Sequence, residues 1–117
     1  MVRIKREVPM TQLTVTYYEE HTIPLVHFPD KITMANAVAI QDELRLITMG
    51  GTKFIADLAG TNVADSSGLA VLVRHRELIS SVLSPQPNVL SLLELTRLTE
   101  ILTITTNVKD AMSVYKQ

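Results

Sequence analysis

Leu13, Val15 and Tyr17 alternate with Thr14, Thr16 and Tyr18. A period of two in β-branched and aromatic residues predicts a half-buried strand. Glu19, Glu20 and His21 then form a turn. Ile23, Leu25 and His27, alternating with Pro24, Val26 and Phe28, predict the return strand of a hairpin. Pro24 has no backbone donor and belongs at an edge or a bulge. The period then changes to 3.6: Met34, Ala37, Ile40, Leu44 and Ile47 share one helical face, with Asp42, Glu43 and Arg45 elsewhere. Thr33 is a capping residue for this helix, and Gly50-Gly51 can end it.

Thr52 to Leu58, centred on Phe54-Ile55-Ala56, is a short apolar run bounded by glycines. It reads as a buried strand reached by a parallel crossover. Gly60-Thr61-Asn62 is a loop, and Asp65-Ser66-Ser67-Gly68 opens a helix carrying Leu69, Leu72 and Val73. Two readings compete for the next strand. It is Ile79 to Leu83 if the helix stops near Arg76, and Val89 to Leu93 if the helix runs on to about Leu83. Both segments are short and apolar, so periodicity cannot arbitrate. Ser84-Pro85, a cap followed by a first-turn proline, favours the first. Leu90, Leu93, Leu98, Ile101 and Leu102 follow a helical face, Thr103 to Thr106 suits a last strand, and Val108, Ala111, Met112 and Tyr115 mark a closing helix. Strands alternating with helices predict an α/β fold, a sheet of four to five strands with helices packed against it.

Composition narrows the function classes. A chain of 117 residues supports one core. Residues 1–10, with Arg3, Lys5, Arg6 and Glu7, read as a flexible N-terminal tail, and 11–117 as a single domain. The formal charge of −1 lacks the basic excess of a nucleic-acid binder. Five scattered aromatics, Tyr17, Tyr18, Phe28, Phe54 and Tyr115, make no base-stacking platform. No stretch approaches the roughly 18 apolar residues of a membrane span, and the start lacks the apolar core of a signal peptide. With no cysteine, disulfide, thiolate and Cys-zinc chemistry are excluded, and a cytoplasmic location without membrane insertion is the expectation.

Candidate chemistry converges on Asp65-Ser66-Ser67-Gly68. Asp65 or Ser66 can satisfy the free N–H groups at the helix start, and Gly68 lets another surface approach the backbone. A good helix start explains the tetrapeptide without further function. A hydrolase would need a base beside the serine, from His21, His27 or His75. Gly-x-Ser-x-Gly is missing, and His75 between Arg74 and Arg76 reads as a solvated face. His21 and His27 have no metal-ligand spacing, and no phosphate-binding glycine motif is present. No catalytic residue, metal or cofactor is therefore expected.

Lys53-Phe54-Ile55-Ala56-Asp57-Leu58 followed by Val63-Ala64-Asp65-Ser66-Ser67-Gly68-Leu69-Ala70-Val71-Leu72-Val73 closely resembles the STAS family, which includes bacterial anti-sigma factor antagonists. Ala70 replaces a common second glycine. Leu93-Glu94-Leu95-Thr96-Arg97-Leu98 resembles the family's Leu-Glu-Leu-Thr-Gly-Leu, with Arg97 for glycine; Ser84-Pro85-Gln86 and Ala111 also match. The resemblance covers roughly Leu13 to Tyr115, with a shorter interval than usual between Gly68 and the Leu-Glu-Leu-Thr block.

The resemblance implies a STAS-like mixed β-sheet with helices packed mainly on one face, and a partner switch. The unmodified protein would bind an anti-sigma factor with a histidine-kinase-like serine kinase domain. That kinase would phosphorylate Ser67, the complex would fall apart, and a serine phosphatase would reset it. Asp65, Ser66 and Gly68 would shape the turn and the kinase contact, with Thr33 and Asn36 bordering the same surface. Phosphorylation adds about −1.5 to −2 charges, which a helix start tolerates and a docked surface beside Asp65 does not. The alternatives are a STAS scaffold, a regulatory subunit of a signalling assembly or transporter, and an unrelated small enzyme using Ser67 and His75.

Overall fold

The computed structural model describes residues 3–21 and 23–116. The chain runs β1 (Ile4–Pro9), β2 (Thr14–Tyr18), β3 (Leu25–His27), β4 (Lys31–Ile32), α1 (Ala37–Ile47), β5 (Phe54–Asp57), β6 (Val63–Ala64), α2 (Ser66–Arg74), β7 (Ile79–Leu83), α3 (Pro87–Leu95), β8 (Ile104–Thr105) and α4 (Val108–Lys116). Six strands form one mixed sheet in the order β1-β2-β3-β5-β7-β8. The pairs β1–β2 and β2–β3 are antiparallel; β3–β5, β5–β7 and β7–β8 are parallel. The α/β expectation holds, with a larger sheet than the four to five strands predicted.

The added strand is β1, where a flexible tail was expected. All six of its residues are exposed, so it has no hydrophobic alternation to announce it. Hydrogen-bonded pairing with β2 makes it a strand, with a bulge between Ile4 and Arg6. Lys5, the bulge and Pro9 are the features that keep an edge strand from pairing further.

Alternation in the strands divides the interior. Leu13, Val15, Val26, Phe54, Ala56 and Val82 point to one face, where Ile40 and Leu44 of α1, Leu69 and Leu72 of α2, and Val89 and Leu93 of α3 pack on them. Fully burying each valine, leucine, isoleucine or phenylalanine among them contributes about 1.5–3 kcal/mol. On the other face Leu25, Ile55 and Leu83 meet Ala111 and Met112 of α4. The side chain of Tyr115, read as part of that helix's apolar face, lies outside the described residues. Ile79–Leu83 is the strand between α2 and α3, in agreement with the favoured reading.

Two helix starts fall later than the pattern predicted. Thr33 does not cap α1. The helix begins at Ala37, with Asn36 at the cap position making no side-chain cap bond. Side-chain bonds hold residues 33–36 in a turn instead: Thr33 N–H donates to Asn36 Oδ1 at 3.0 Å and Ala35 N–H to Thr33 Oγ1 at 3.3 Å. Such local bonds compete with helix. Met34 is consequently 78% exposed rather than part of the buried face. The start of α3 is likewise Pro87, not Pro85. Ser84 is in the left-handed region, φ 49°, and its hydroxyl donates to the Thr106 carbonyl at 2.9 Å, closing the sheet rather than capping a helix.

Candidate functional site

The end of β6 delivers Asp65 in extended backbone, φ −125° and ψ −176°, as the N-cap of α2. One carboxylate oxygen accepts the Gly68 N–H at 3.0 Å, and the other accepts the Met34 N–H, also at 3.0 Å. Asp65 thus joins the start of α2 to the turn before α1. The Gly68 bond first and the Met34 bond second hold its carboxyl below the usual carboxylate range.

Gly68 fixes how closely α2 sits on the small parallel pair β4–β6. A Cβ at residue 68 would lie 1.9 Å from the Ile32 carbonyl oxygen. The surface that approaches this glycine is therefore the chain's own strand. Ser66 is exposed and Ser67 half-buried. They point into different grooves on either side of α2. Ser67, Ala70, Val71 and Arg74 share one helix face, as the i, i+3, i+4, i+7 spacing requires. With Met34, Ala37, Val38 and Gln41 they line an open groove of about 230 Å³. Across it the Arg74 guanidinium donates to Gln41 Oε1 at 2.5 Å. Val38 is 73% exposed, so the groove rim is apolar as well as accessible. Ser66 faces a second groove, of about 270 Å³, with Leu69, Ala70, Val73, Thr96 and Leu98.

Thr33 and Asn36 support this surface from behind. Asn36 Nδ2 donates to the Lys31 carbonyl at 2.7 Å and to Gln12 Oε1 at 3.0 Å. Met34, between them, is the residue from this turn that lines the Ser67 groove. Ser67 and His75 are not brought together. His75 is at the opposite end of α2, its Nδ1 3.0 Å from the Val71 carbonyl oxygen.

Sequence reasoning missed a polar chain on the sheet face that α4 leaves partly uncovered. His27 Nδ1 is 2.6 Å from Asp57 Oδ2, and Nε2 is 2.8 Å from the Thr16 hydroxyl. That hydroxyl is 3.3 Å from Glu7 Oε1. Burial, then the charges of Asp57 and Glu7, raise the nearby Tyr18 phenol above its ordinary value. Thr16 is 1% exposed, so this is no nucleophilic triad despite its composition. The alternation of β2, β3 and β5 predicts that Thr16, His27 and Asp57 share a face, but only their register sets His27 beside Asp57 and diagonal to Thr16. Among the described residues, no group of three His, Cys, Asp or Glu is arranged to hold a metal. No helix among them is long and apolar enough to cross a membrane.

The STAS domain model matches residues 14–111. No curated protein is a significant sequence match. A Thermotoga maritima protein described as an anti-sigma factor antagonist is similar over 80% of this chain and 88% of its own, with 25% identity and a TM-score of 0.70. An anti-sigma-factor antagonist (STAS) domain protein from Planctomyces limnophilus is similar over 90% of this chain and 98% of its own, with 20% identity and a TM-score of 0.77. The murine anion transporter Slc26a9 contains a similar fold, covering 99% of this chain but 22% of the transporter, with 14% identity and a TM-score of 0.73. The family match spans β2 to β8, the Asp65–Gly68 turn and the closing helix as far as Ala111, and the chain belongs to the STAS domain family.

Proposed function

We propose that this protein is an anti-sigma factor antagonist that works by partner switching. Unmodified, it binds an anti-sigma factor carrying a histidine-kinase-like serine kinase domain. Phosphorylation of Ser67 releases it, and a serine phosphatase restores the binding form. The observation that carries this reading is the position of Ser67: half-buried in the first turn of α2, on a helix anchored by Asp65, and opening into a groove rimmed by exposed Met34 and Val38. A hydroxyl there is within reach of a kinase, and the apolar rim suits a docked partner. The role is one of binding, without catalysis by this chain.

A phosphate on Ser67 brings about two negative charges into that groove. A docked partner would have to desolvate them or leave. A loss of about 3 kcal/mol in docking lowers affinity roughly a hundredfold.

The test is incubation with ATP and the cognate kinase, followed by mapping of phosphate by mass spectrometry. Phosphate at Ser67, absent from Ser67→Ala, is the expected result. Tight partner binding with no modification would instead identify a scaffold. Ester hydrolysis abolished by His75→Ala would identify an enzyme.

A further inference from the structure

We propose that a phosphate on Ser67 is held within the chain by Arg74, which exchanges Gln41 for it and lays it across the apolar groove. The inference rests on Ser67 being the residue modified.

An anion at a helix start ordinarily takes the free N–H groups of the first turn. Here Asp65 already engages two of them: its carboxylate accepts from Gly68, and the Ser67 N–H also favours its charged form. A second anion in the same turn meets occupied donors and a like charge. It is driven away from Asp65, toward the other end of the groove.

At that end stands Arg74, the one charged residue among the described residues that line the groove. It is on the same face of α2 as Ser67, about 10 Å along the axis. Helical side chains lean toward the N-terminus, so an arginine at this position leans toward Ser67. Its extended side chain covers most of the distance, and a seryl phosphate reaches the rest. In the unmodified protein the guanidinium has the neutral Gln41 carbonyl oxygen as its acceptor. Phosphate offers charge and two parallel oxygens to the same fork, which makes a stronger bond. Of the neighbouring arginines, Arg45 is paired with Asp42 at 3.3 Å on α1. Arg76, in the turn after α2, donates back to the Val73 carbonyl.

The exchange has two consequences for docking. The phosphate, pinned rather than free in solvent, lies over Ala70 and Val71 and opposite Val38, covering the apolar surface with a hydrated charge. The α1–α2 bridge through Gln41 also opens, which changes the groove's shape. Ejection of a partner then depends on Arg74 as well as on the phosphate.

The experiment needs no kinase, so it can fail independently of the functional reading. Phosphoserine is installed at residue 67 during translation, and the phosphate is titrated by ³¹P NMR in the wild-type background and in Arg74→Gln and Arg74→Lys. Thermal melting verifies that the exposed substitutions leave the fold intact. The second ionisation of the phosphate, ordinarily near pH 6, is expected to fall at lower pH with Arg74 than with Gln, by about half a unit for an exposed pair. Arg74→Lys should retain most of that difference. An identical midpoint in wild type and Arg74→Gln overturns the proposal.

Discussion

Alanine in place of Gly68 adds one methyl group where the fold leaves no room. Its Cβ would be 1.9 Å from the Ile32 oxygen and 2.6 Å from the Ile32 carbonyl carbon. That is about 1.5 Å short of ordinary contact. Both atoms are backbone, so no side chain can turn away; α2 must lift from β4. Lifting stretches the Asp65 N–H bond to the Ile32 carbonyl, 3.3 Å, and the Asp65 bridge to Met34, 3.0 Å. Against this, alanine gains about 1 kcal/mol of helix propensity over glycine. Overpacking costs about 1–3 kcal/mol, and the loosened backbone bond from Asp65 to Ile32 about 1 kcal/mol. The net is a destabilisation of about 1–3 kcal/mol, which lowers Tm by roughly 5–15 °C. Urea unfolding followed by circular dichroism measures it as a fall in midpoint at unchanged slope. Gly60→Ala is the control, since nothing lies within 4 Å of a Cβ there, and it should change stability by less than about 0.5 kcal/mol. A Gly68→Ala protein as stable as the parent would refute the close seating of α2 on β4.

Other substitutions test separate parts of the account. Asp65→Asn should lower Tm at neutral pH. Because Asp65 has a folded-state pKa below its unfolded value near 3.8, its contribution is complete above that pH and is lost as pH falls through the folded value. The gap between the two proteins' melting temperatures should therefore narrow below about pH 4. Arg97, with φ 62°, is in the left-handed region where the family pattern has glycine. Arg97→Gly should stabilise by about 0.5–1 kcal/mol in urea, since relief of a left-handed side chain exceeds the added freedom of the unfolded chain. Asp57→Ala removes the partner of His27 and of the Ala59 N–H. It should cost about 1–3 kcal/mol, again by urea unfolding, whereas Asp42→Ala in an exposed pair should cost under about 0.5 kcal/mol.

What was legible in the chain was whatever depends on local pattern. The apolar run around Phe54-Ile55-Ala56 marked the central strand, and Asp65-Ser66-Ser67-Gly68 located the start of α2 because capping chemistry is local. Gly50-Gly51 ended α1 as expected, both with positive φ. The illegible parts depend on partners distant in sequence. β1 leaves all its residues exposed, Ile4 and Val8 included, and becomes a strand through pairing with β2. Thr33 resembled a helix cap until Asn36, Gln12 and Lys31 were seen to hold the turn otherwise. Pro85 and Pro87 are equally acceptable in a first helical turn, and only the left-handed Ser84 decides between them. For the site, the roles of Asp65 and Gly68 in shaping the turn were readable. That Gly68 is pressed against Ile32, and that Arg74 and Gln41 share the Ser67 groove, required the packing of α1 beside α2.

The affinity of one anti-sigma partner, measured by calorimetry for two forms of this protein that differ by a single phosphoryl group, tests the central claim most directly. The account predicts tight binding by the form with a free Ser67 hydroxyl and roughly a hundredfold weaker binding by the phosphoserine form. Equal affinity for the two forms would contradict it.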